Sequence, residues 1–527
     1  MKTGVYWCKM FLVYTLSVIC MIMALFLTYY NIRYSMHQIK VPYGVAIQET
    51  QDSLMLHLLA AAVFLIVILA VRRGKREMCR ERGLYIALGV IMLCTMLFCF
   101  VWVTAGNFYA MNDSRHVLEC MEHMRDGDYS DLQPSGYLGI YRQHFGLITL
   151  FRFLFFLSGT TDDIVIQIFN CLCVPVIIYA GFRILRELNA ARTSLAGYLI
   201  LMAFCFPLFF YTPYVYGEII SVTAGMLFIW AALCYLKRGK ISAWAAMAVC
   251  AVIGNMARGN FPIVLIAFGI VAFLYSVCRK RPGYLLCAFS LFLAVALADK
   301  VNIAYYEKIS GTVLDQGLPP EACIAMGMDE YGELGYGMYN GFEVELYAGC
   351  GYDTEATRLQ AKQFIQDRVK MFAAGAGMSA KDFYKGKLLV QWNDPTMNCF
   401  MENRNFIPPP HHLVSDIVLE EGKYAVQARE LMNQYQFLLY TGFLLYCLSL
   451  LREGVRISFC QHLPLIIIFG GFLFTMLWEA MSRYVFPYMI YMIPLAAIGW
   501  DFIGGRLGKI MHVPGGKRMA DKELSIN

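Results

Sequence analysis

Long apolar runs, separated by short polar stretches, dominate the chain from end to end. A membrane-spanning helix needs about 20 predominantly apolar residues, and about twelve runs come close to that length. We predict spans at 8–30, 53–71, 84–105, 163–182, 194–211, 218–236, 241–257, 261–278, 283–300, 435–451, 460–478 and 484–503. The pattern predicts an all-α protein, a polytopic transmembrane helical bundle of about twelve spans.

Amphipathic helices are predicted in the two long segments between spans, which we place on the outer face. In the first, 106–162, a helix over Ser114–Arg125 has one apolar face. That face consists of Val117, Leu118, Met121 and Met124. The stretch His144–Ser158 in the same segment is apolar but too short to span. It predicts a partly buried or re-entrant segment, with a short true span as the alternative.

The second outer segment, 301–433, is predicted to contain a helix near Thr354–Phe372 and a shorter one near Lys381–Trp392. The apolar face of the longer helix is predicted to consist of Ala361, Ile365, Val369 and Phe372. The chain then divides into four parts. They are 1–83 with two transmembrane helices and a basic loop, 84–300 with the transmembrane core, 301–433, and 434–527 with the C-terminal helices and tail.

Composition agrees with a membrane protein. The 527 residues are 59% hydrophobic and 16% charged, against about 45–50% and about 25% in soluble chains. Most of the 18 cysteines lie in apolar runs, which predicts small core residues and no disulfide framework. The net charge of +6 comes from short clusters rather than a basic stripe, so no nucleic-acid partner is expected.

The basic clusters follow every second predicted span, which is the positive-inside pattern of membrane loops. They lie within 72–82, 183–192, 237–240, 279–281, 452–456 and 506–518. All six are satisfied together when both termini lie in the cytoplasm. The lipid bilayer is therefore the first predicted partner.

Eight polar residues lie near helix ends on the opposite, outer side. They are Asn112, Asp113, His144, Glu218, Arg258, Asp394, Glu479 and Arg483. Ionisable groups near hydrocarbon are costly and usually pair or line a polar cavity. We therefore predict one outer-facing polar site that brings them together.

Structural roles are the alternative for each of these residues. Asp113 and Glu218 stand where helix N-caps are expected, and Asp394 before Pro395 is typical of a turn. For His144, the alternative is a structural histidine with no part in the chemistry.

Structural roles are also the alternative for Arg258, Arg483 and Glu479. Arg258 and Arg483 would also suit side chains that reach up to lipid headgroups. Glu479 and Arg483 have the spacing of a helical ion pair.

The order of three motifs over about 84–503 resembles the GT-C glycosyltransferases, in particular bacterial members that modify cell-surface polymers. These motifs are Asn112-Asp113 directly after a span, YLGIYRQHFG at 137–146, and WEAMSRYVFPY at 478–488. The two spans before residue 84 are outside the expected core. The WWD-type motif of oligosaccharyltransferases is absent from the sequence.

The resemblance implies a GT-C-like bundle in a bacterial plasma membrane that uses a polyprenyl-phosphate sugar donor. The acceptor would be a cell-surface glycan, polymer or protein on the outer face. Asp113 would deprotonate or orient the acceptor hydroxyl, and Arg258 and Arg483 would bind the phosphate. Transfer would then invert the anomeric carbon.

The remaining candidates, Asn112, His144, Glu218, Asp394 and Glu479, would bind substrate. No DxD-like cluster is obvious, so no cofactor is assigned and a divalent metal stays an alternative. A transporter or flippase for a lipid-linked glycan would use the same cavity and arginines. A scaffold protein is the third alternative, and it leaves Asp113 and Arg258 without a role.

Overall fold

The computed structural model of the protein describes residues 2–41, 44–73, 81–330, 336–406, 410–453 and 459–510. It is 77% helical. Across these residues, 10 helices are long and apolar enough to cross a membrane. The protein is therefore all-α and polytopic. The C-terminal tail and parts of three basic clusters, at 74–80, 454–458 and 511–518, lie outside the described residues.

Two helices and a hairpin form the N-terminal unit. Helices α1 (Lys2–Asn31) and α2 (Leu54–Arg73) flank the antiparallel strands β1 (Tyr34–Val41) and β2 (Gly44–Gln51). The hairpin was not predicted, because its short strands mix polar and apolar residues and form no apolar run. The backbone N–H of Met36 donates to the carbonyl oxygen of Asn393, 2.9 Å away, which attaches the hairpin to the second outer segment.

The central bundle follows, and one predicted span in it is not a continuous helix. Its helices are α3 (Glu81–Gly106), α7 (Ile164–Glu187), α8 (Arg192–Ala203), α9 (Phe206–Phe210), α10 (Glu218–Arg238), α11 (Ile241–Ala257), α12 (Pro262–Arg279) and α13 (Gly283–Ser310). The predicted span 194–211 is broken between α8 and α9. Pro207 has no N–H with which to continue the hydrogen bonds of α8. The predicted span 241–257 is a single apolar helix of 17 residues, and it is not among the ten longer candidate spans.

Short helices fill the first outer segment between α3 and α7. They are α4 (Asp113–Arg125), α5 (Tyr137–Ile140) and α6 (Phe145–Ser158), with 3-10 turns at Ser130–Leu132 and Arg142–His144. The predicted apolar face of α4 is buried, as expected. Helix α6 has 14 residues, so the apolar stretch after His144 forms a short helix.

The second outer segment contains α14 (Pro320–Met326), α15 (Phe342–Gly349), α16 (Thr354–Ala374), α17 (Ala380–Trp392), α18 (Cys399–Glu402) and α19 (His412–Val418). The predicted apolar face of α16 is wrong at Val369, which is 53% exposed. Arg368 is buried instead. It pairs with Glu330, and its guanidinium lies 4.3 Å from the ring centroid of Phe372. A flat guanidinium stacks on an aromatic face, so an arginine fills this position.

The C-terminal helices are α20 (Ala425–Glu453), α21 (Leu463–Leu477) and α22 (Phe486–Ile510). Helix α22 is the most enclosed candidate span: 83% of its most apolar window is buried, against 22% in α2. Its crossing with α20 is very close, because a Cβ on Gly499 would lie 1.9 Å from the carbonyl oxygen of Gly442. Glycine permits this approach, so the middle of α22 packs directly against α20.

Candidate functional site

Charged residues from five separate segments meet at one end of the bundle. We call this group the Arg483 cluster. It consists of Asp113 at the start of α4, Glu218 at the start of α10, Arg258 after α11, Glu402 at the end of α18, and Glu479 and Arg483 between α21 and α22. Every member lies at or beside a helix end, so the helix arrangement places these charges together.

Arg483 is the centre of the cluster and is only 6% exposed. Its Nη1 donates to the Tyr214 hydroxyl at 2.6 Å and to Glu402 Oε1 at 3.1 Å. Its Nη2 lies 3.4 Å from Asp113 Oδ2, and its Nε lies 3.8 Å from Glu218 Oε1. A guanidinium this buried and paired does not reach toward lipid headgroups, so the headgroup interpretation of Arg483 is wrong.

Arg258 lies beside Arg483 and shares a carboxylate with it. Its Nη1 is 3.2 Å from Glu218 Oε1. A Cβ on Gly217 would lie 2.0 Å from the carbonyl oxygen of Ala257, so only glycine allows the start of α10 to touch the end of α11. This contact brings Glu218 and Arg258 together. Arg258 is 13% exposed, which also excludes the headgroup interpretation.

Both guanidinium groups lie against the same two aromatic rings. Arg258 is 5.1 Å from the ring centroid of Tyr216 and 5.5 Å from that of Tyr484. Arg483 is 5.6 Å from each of them. Such cation–π contacts hold planar cations in a fixed orientation. The two arginines are therefore fixed side by side.

Glu218 is 2% exposed, yet its carboxylate receives no hydrogen bond from any residue that the structure describes. Its contacts are the two charge contacts with Arg258 and Arg483. A buried carboxylate normally accepts several hydrogen bonds. Glu218 is the first residue of α10, but its buried carboxylate faces the arginines and makes no cap.

Asp113 is the only carboxylate of the cluster that is substantially exposed, at 43%. It is the first residue of α4, and Asn112, with a φ of 52°, occupies the N-cap position without a side-chain cap bond. The capping interpretation of Asp113 is therefore wrong. The carboxylate instead joins the buried Arg483 to the surface, where a substrate can reach it.

His144 lies next to the cluster within a group of tyrosines. Its Nε2 is 2.8 Å from the Tyr216 hydroxyl, and its ring lies 5.4 Å from that of Tyr137 and 5.9 Å from that of Tyr141. Burial lowers the pKa of His144 to about 4, although Asp113 opposes the shift. His144 is therefore a neutral hydrogen-bonding group at physiological pH.

Asp394 supports the cluster from behind and is 1% exposed. Its Oδ1 accepts from the N–H of Thr396 at 2.9 Å, and its Oδ2 from the N–H of Asn398 at 3.0 Å. Oδ2 also accepts from the Ser482 hydroxyl at 2.6 Å. These bonds make the turn expected before Pro395 and hold the residue next to Arg483. Asp394 therefore positions the segment that contains Arg483. Its own carboxylate is buried and does not face the opening of the site.

Glu479 and Arg483 do not form the helical ion pair that their spacing suggests. The chain is irregular at Glu479 and forms a 3-10 turn over Ser482–Tyr484. Glu479 is 7% exposed and accepts a hydrogen bond from the Tyr484 hydroxyl at 2.9 Å. Burial raises the pKa of Glu479, and Arg483 opposes this shift.

No protein-family model and no curated protein matches the chain.

Sequence reasoning missed Glu402 and Glu343. Burial raises the pKa of Glu402, with Arg483 acting in the opposite direction. Glu343 opens α15, and burial raises its pKa to about 7. Both come from the polar second outer segment, where carboxylates are ordinary. The apolar residues directly before Glu402 were the one available signal for it.

Chemically, the cluster offers one exposed carboxylate, that of Asp113, in contact with Arg483, which is fixed beside the second guanidinium of Arg258. In the parts of the chain that the structure describes, no group of three or more His, Cys, Asp and Glu side chains is arranged to hold a metal ion. A phosphate would suit the arginines because guanidinium N–H groups match its oxygens in pairs. A hydroxyl would suit Asp113.

Proposed function

We propose that the protein is a GT-C-like membrane glycosyltransferase. It transfers a sugar from a polyprenyl-phosphate donor to a cell-surface acceptor on the outer face of a bacterial plasma membrane. The observation that carries the proposal is the contact between the exposed carboxylate of Asp113 and the buried guanidinium of Arg483, 3.4 Å apart. Arg483 lies with Arg258 against the rings of Tyr216 and Tyr484. A proton acceptor held by Arg483 would therefore stand beside a phosphate bound at Arg258.

In the proposed reaction, the acceptor oxygen attacks the anomeric carbon while the bond from that carbon to the phosphate oxygen breaks. The electron pair of the broken bond leaves with the polyprenyl phosphate, and the hydroxyl proton passes to Asp113. Arg258 stabilises the charge that develops on the phosphate. Attack opposite the leaving group inverts the anomeric carbon.

Arg258 is better suited than Arg483 to bind the phosphate. Among the described residues, Arg483 has three carboxylates within 3.8 Å, whereas Arg258 has a single ion pair, with Glu218 at 3.2 Å. An incoming phosphate would have to displace Asp113 or Glu402 from Arg483. We therefore assign the phosphate chiefly to Arg258 and assign Arg483 to holding Asp113 in place.

The position of the cluster favours an enzyme over a flippase. Transporter sites lie near the middle of the membrane, often between broken helices. Here the charges lie at the helix ends on one side. We expect the outer side, because the basic clusters follow the opposite ends of the helices.

The test uses purified protein in lipid nanodiscs and in sealed vesicles, with radiolabelled polyprenyl-phosphate sugars and membrane-derived acceptors. Formation of a labelled glycan or glycoprotein supports the transferase. Movement of the carrier-linked sugar across the vesicle membrane without a new glycosidic bond would instead establish the flippase. If neither sugar transfer nor movement across the membrane occurs with any of the donors tested, both proposed functions are refuted.

A further inference from the structure

A second set of polar side chains adjoins the Arg483 cluster. We call it the carboxylate side. It consists of Tyr141, Tyr339 and Glu343, together with Glu479, which it shares with the Arg483 cluster. Glu343 is 2% exposed, and the Tyr141 hydroxyl donates to its Oε1 at 3.3 Å. Its other oxygen, Oε2, is buried and has no hydrogen-bond partner among the residues described. A buried acceptor without a partner is unusual and is consistent with a group kept for a ligand.

Electrostatic coupling joins this side to the arginines. Burial, together with the charges of Glu479 and Asp113, raises the pKa of Glu343 to about 7. Glu479 is influenced in turn by Asp113, Arg258 and Arg483. The geometry connects the same groups: the Tyr141 ring lies 5.9 Å from that of His144, and His144 Nε2 lies 2.8 Å from the hydroxyl of Tyr216. The Tyr216 ring contacts both arginines, so the carboxylate side adjoins the place where the donor phosphate would bind.

The chemistry of the carboxylate side differs sharply from that of the arginines. Its groups are carboxyls and phenol hydroxyls, which accept and donate hydrogen bonds. Lys387 is fully buried and donates to the carbonyl oxygen of Gly327. Burial lowers the pKa of Lys387 to about 7, and the charge of Glu479 opposes this shift. Lys387 offers little positive charge to a ligand. Tyr339 is 56% exposed and presents its ring at the edge of the group.

Resting on the proposed function, we propose that the carboxylate side binds the acceptor and that the acceptor is an uncharged, hydroxyl-rich glycan. Sugar hydroxyls can donate to Glu343 Oε2 and Glu479 while accepting from tyrosine hydroxyls. An acceptor with phosphate or carboxylate groups would meet like charges, which oppose binding. The arginine side selects an anionic donor, and the carboxylate side excludes an anionic acceptor.

The test measures binding without requiring transfer. Saturation-transfer NMR on the purified protein, at about pH 8 so that Glu343 is ionised, compares uncharged maltotriose, mannotriose and chitotriose with anionic oligosaccharides of the same length. We expect at least one uncharged trisaccharide to bind and the anionic ones not to bind. Equal binding of both classes, or no binding of any uncharged trisaccharide, would overturn the proposal.

Variants locate the site. Glu343→Gln and Tyr141→Phe should each weaken trisaccharide binding, Glu343→Gln by about ten-fold. Glu345→Gln, an exposed glutamate on the same helix, should have no effect. Thermal melting shows whether each variant is folded. If Glu343→Gln does not fold, trisaccharide binding by Tyr141→Phe tests the assignment of the site. Unchanged binding in a folded variant would refute the assignment.

A second ligand separates this inference from the proposed function. Farnesyl phosphate, a short polyprenyl phosphate, should bind the Glu343→Gln protein as well as the parent. If farnesyl phosphate fails to bind the parent but the trisaccharide does so through Glu343, the glycan site stands and the proposed donor falls. If the phosphate binds and the trisaccharides do not, the acceptor assignment alone is wrong.

Discussion

Two buried ionic groups lie at opposite ends of the bundle, and they are built differently. The first is the Arg483 cluster. The second, which we call the Asp501 cluster, joins Asp501 of α22 to Arg72 of α2 and to Thr193 and Ser194 of α8. About 22 Å of helix separates Asp501 from the start of α22. Both groups contain a buried arginine and a carboxylate.

The difference lies in hydrogen bonding. Asp501 receives bonds from Arg72 Nε at 3.1 Å, from Ser194 Oγ at 3.0 Å and from the Thr193 hydroxyl, so both of its oxygens are satisfied. Glu218 in the Arg483 cluster accepts none from the described part of the chain, and an oxygen of Glu343 is also unpaired. Satisfied buried charges stabilise a fold, whereas unsatisfied ones mark sites that a ligand completes.

The largest effect is expected on stability at the Asp501 cluster. Arg72→Ala leaves a buried carboxylate uncompensated, which costs about 3–5 kcal/mol. The melting temperature of the purified protein should fall clearly, while Arg73→Ala, its exposed neighbour on α2, should leave it unchanged. Protein that remains folded should transfer sugar at the parent rate. Equal melting of the two variants would show that this cluster does not stabilise the fold.

A smaller effect is expected on donor binding at the Arg483 cluster, at the other end of the bundle. Arg258→Lys keeps the charge but loses the paired N–H groups, so donor affinity should weaken by about 1–3 kcal/mol. Titration with the donor that supports transfer measures this loss. The control is Arg115→Lys, because Arg115 pairs with Glu119 on the exposed face of α4. Donor affinity that stays at the parent value would remove Arg258 from phosphate binding.

Glu218→Gln should lower stability less than Arg72→Ala. The change removes the charge that pairs with Arg258, but the amide oxygen of glutamine remains an acceptor at the same place, and the repulsion between Glu218 and Glu402 is lost. The free energy of unfolding should fall by about 1–2 kcal/mol. A drop in melting temperature as large as that of Arg72→Ala would mean that the two clusters are built alike.

The smallest expected effect is a change in pH dependence. The pKa of Glu343 is raised from its ordinary 4.5 to about 7, so the folded state keeps this proton to a higher pH than the unfolded state does. Its contribution therefore makes unfolding easier as the pH rises from 4.5 to about 7. Between these pH values, the melting temperature of Glu343→Gln should fall less than that of the parent. Parallel curves for variant and parent would show that Glu343 titrates normally.

Sequence analysis found the features of the fold that depend on local composition and missed a break that depends on one residue. Hydrophobicity locates spans because each is set by local composition, and ten candidate helices agree with that prediction. It does not detect the break between α8 and α9, since apolar residues continue through Cys205 and Pro207. Averaging over a window conceals a single residue that interrupts backbone hydrogen bonding.

The candidate site was predictable only where a charge lies close to an apolar run. Asp113, Glu218, Arg258 and Arg483 meet this condition, and the structure brings all four together. Glu343 lies in a polar segment, so nothing local distinguishes it from an exposed glutamate such as Glu345. Its burial depends on how α15 packs against α14 and α16 and meets Tyr141 of the first outer segment, which the spacing of residues along the chain does not show.

The most direct test of the account is Asp113→Asn, measured for donor binding and sugar transfer on the same purified preparation. The change removes the proton acceptor but leaves Arg258 intact, so donor binding should persist while transfer falls about 10²–10⁴-fold. Asp126→Asn, an exposed aspartate at the other end of α4, is the matched control and should be silent. A folded Asp113→Asn protein that binds donor and transfers sugar at the parent rate would contradict the account.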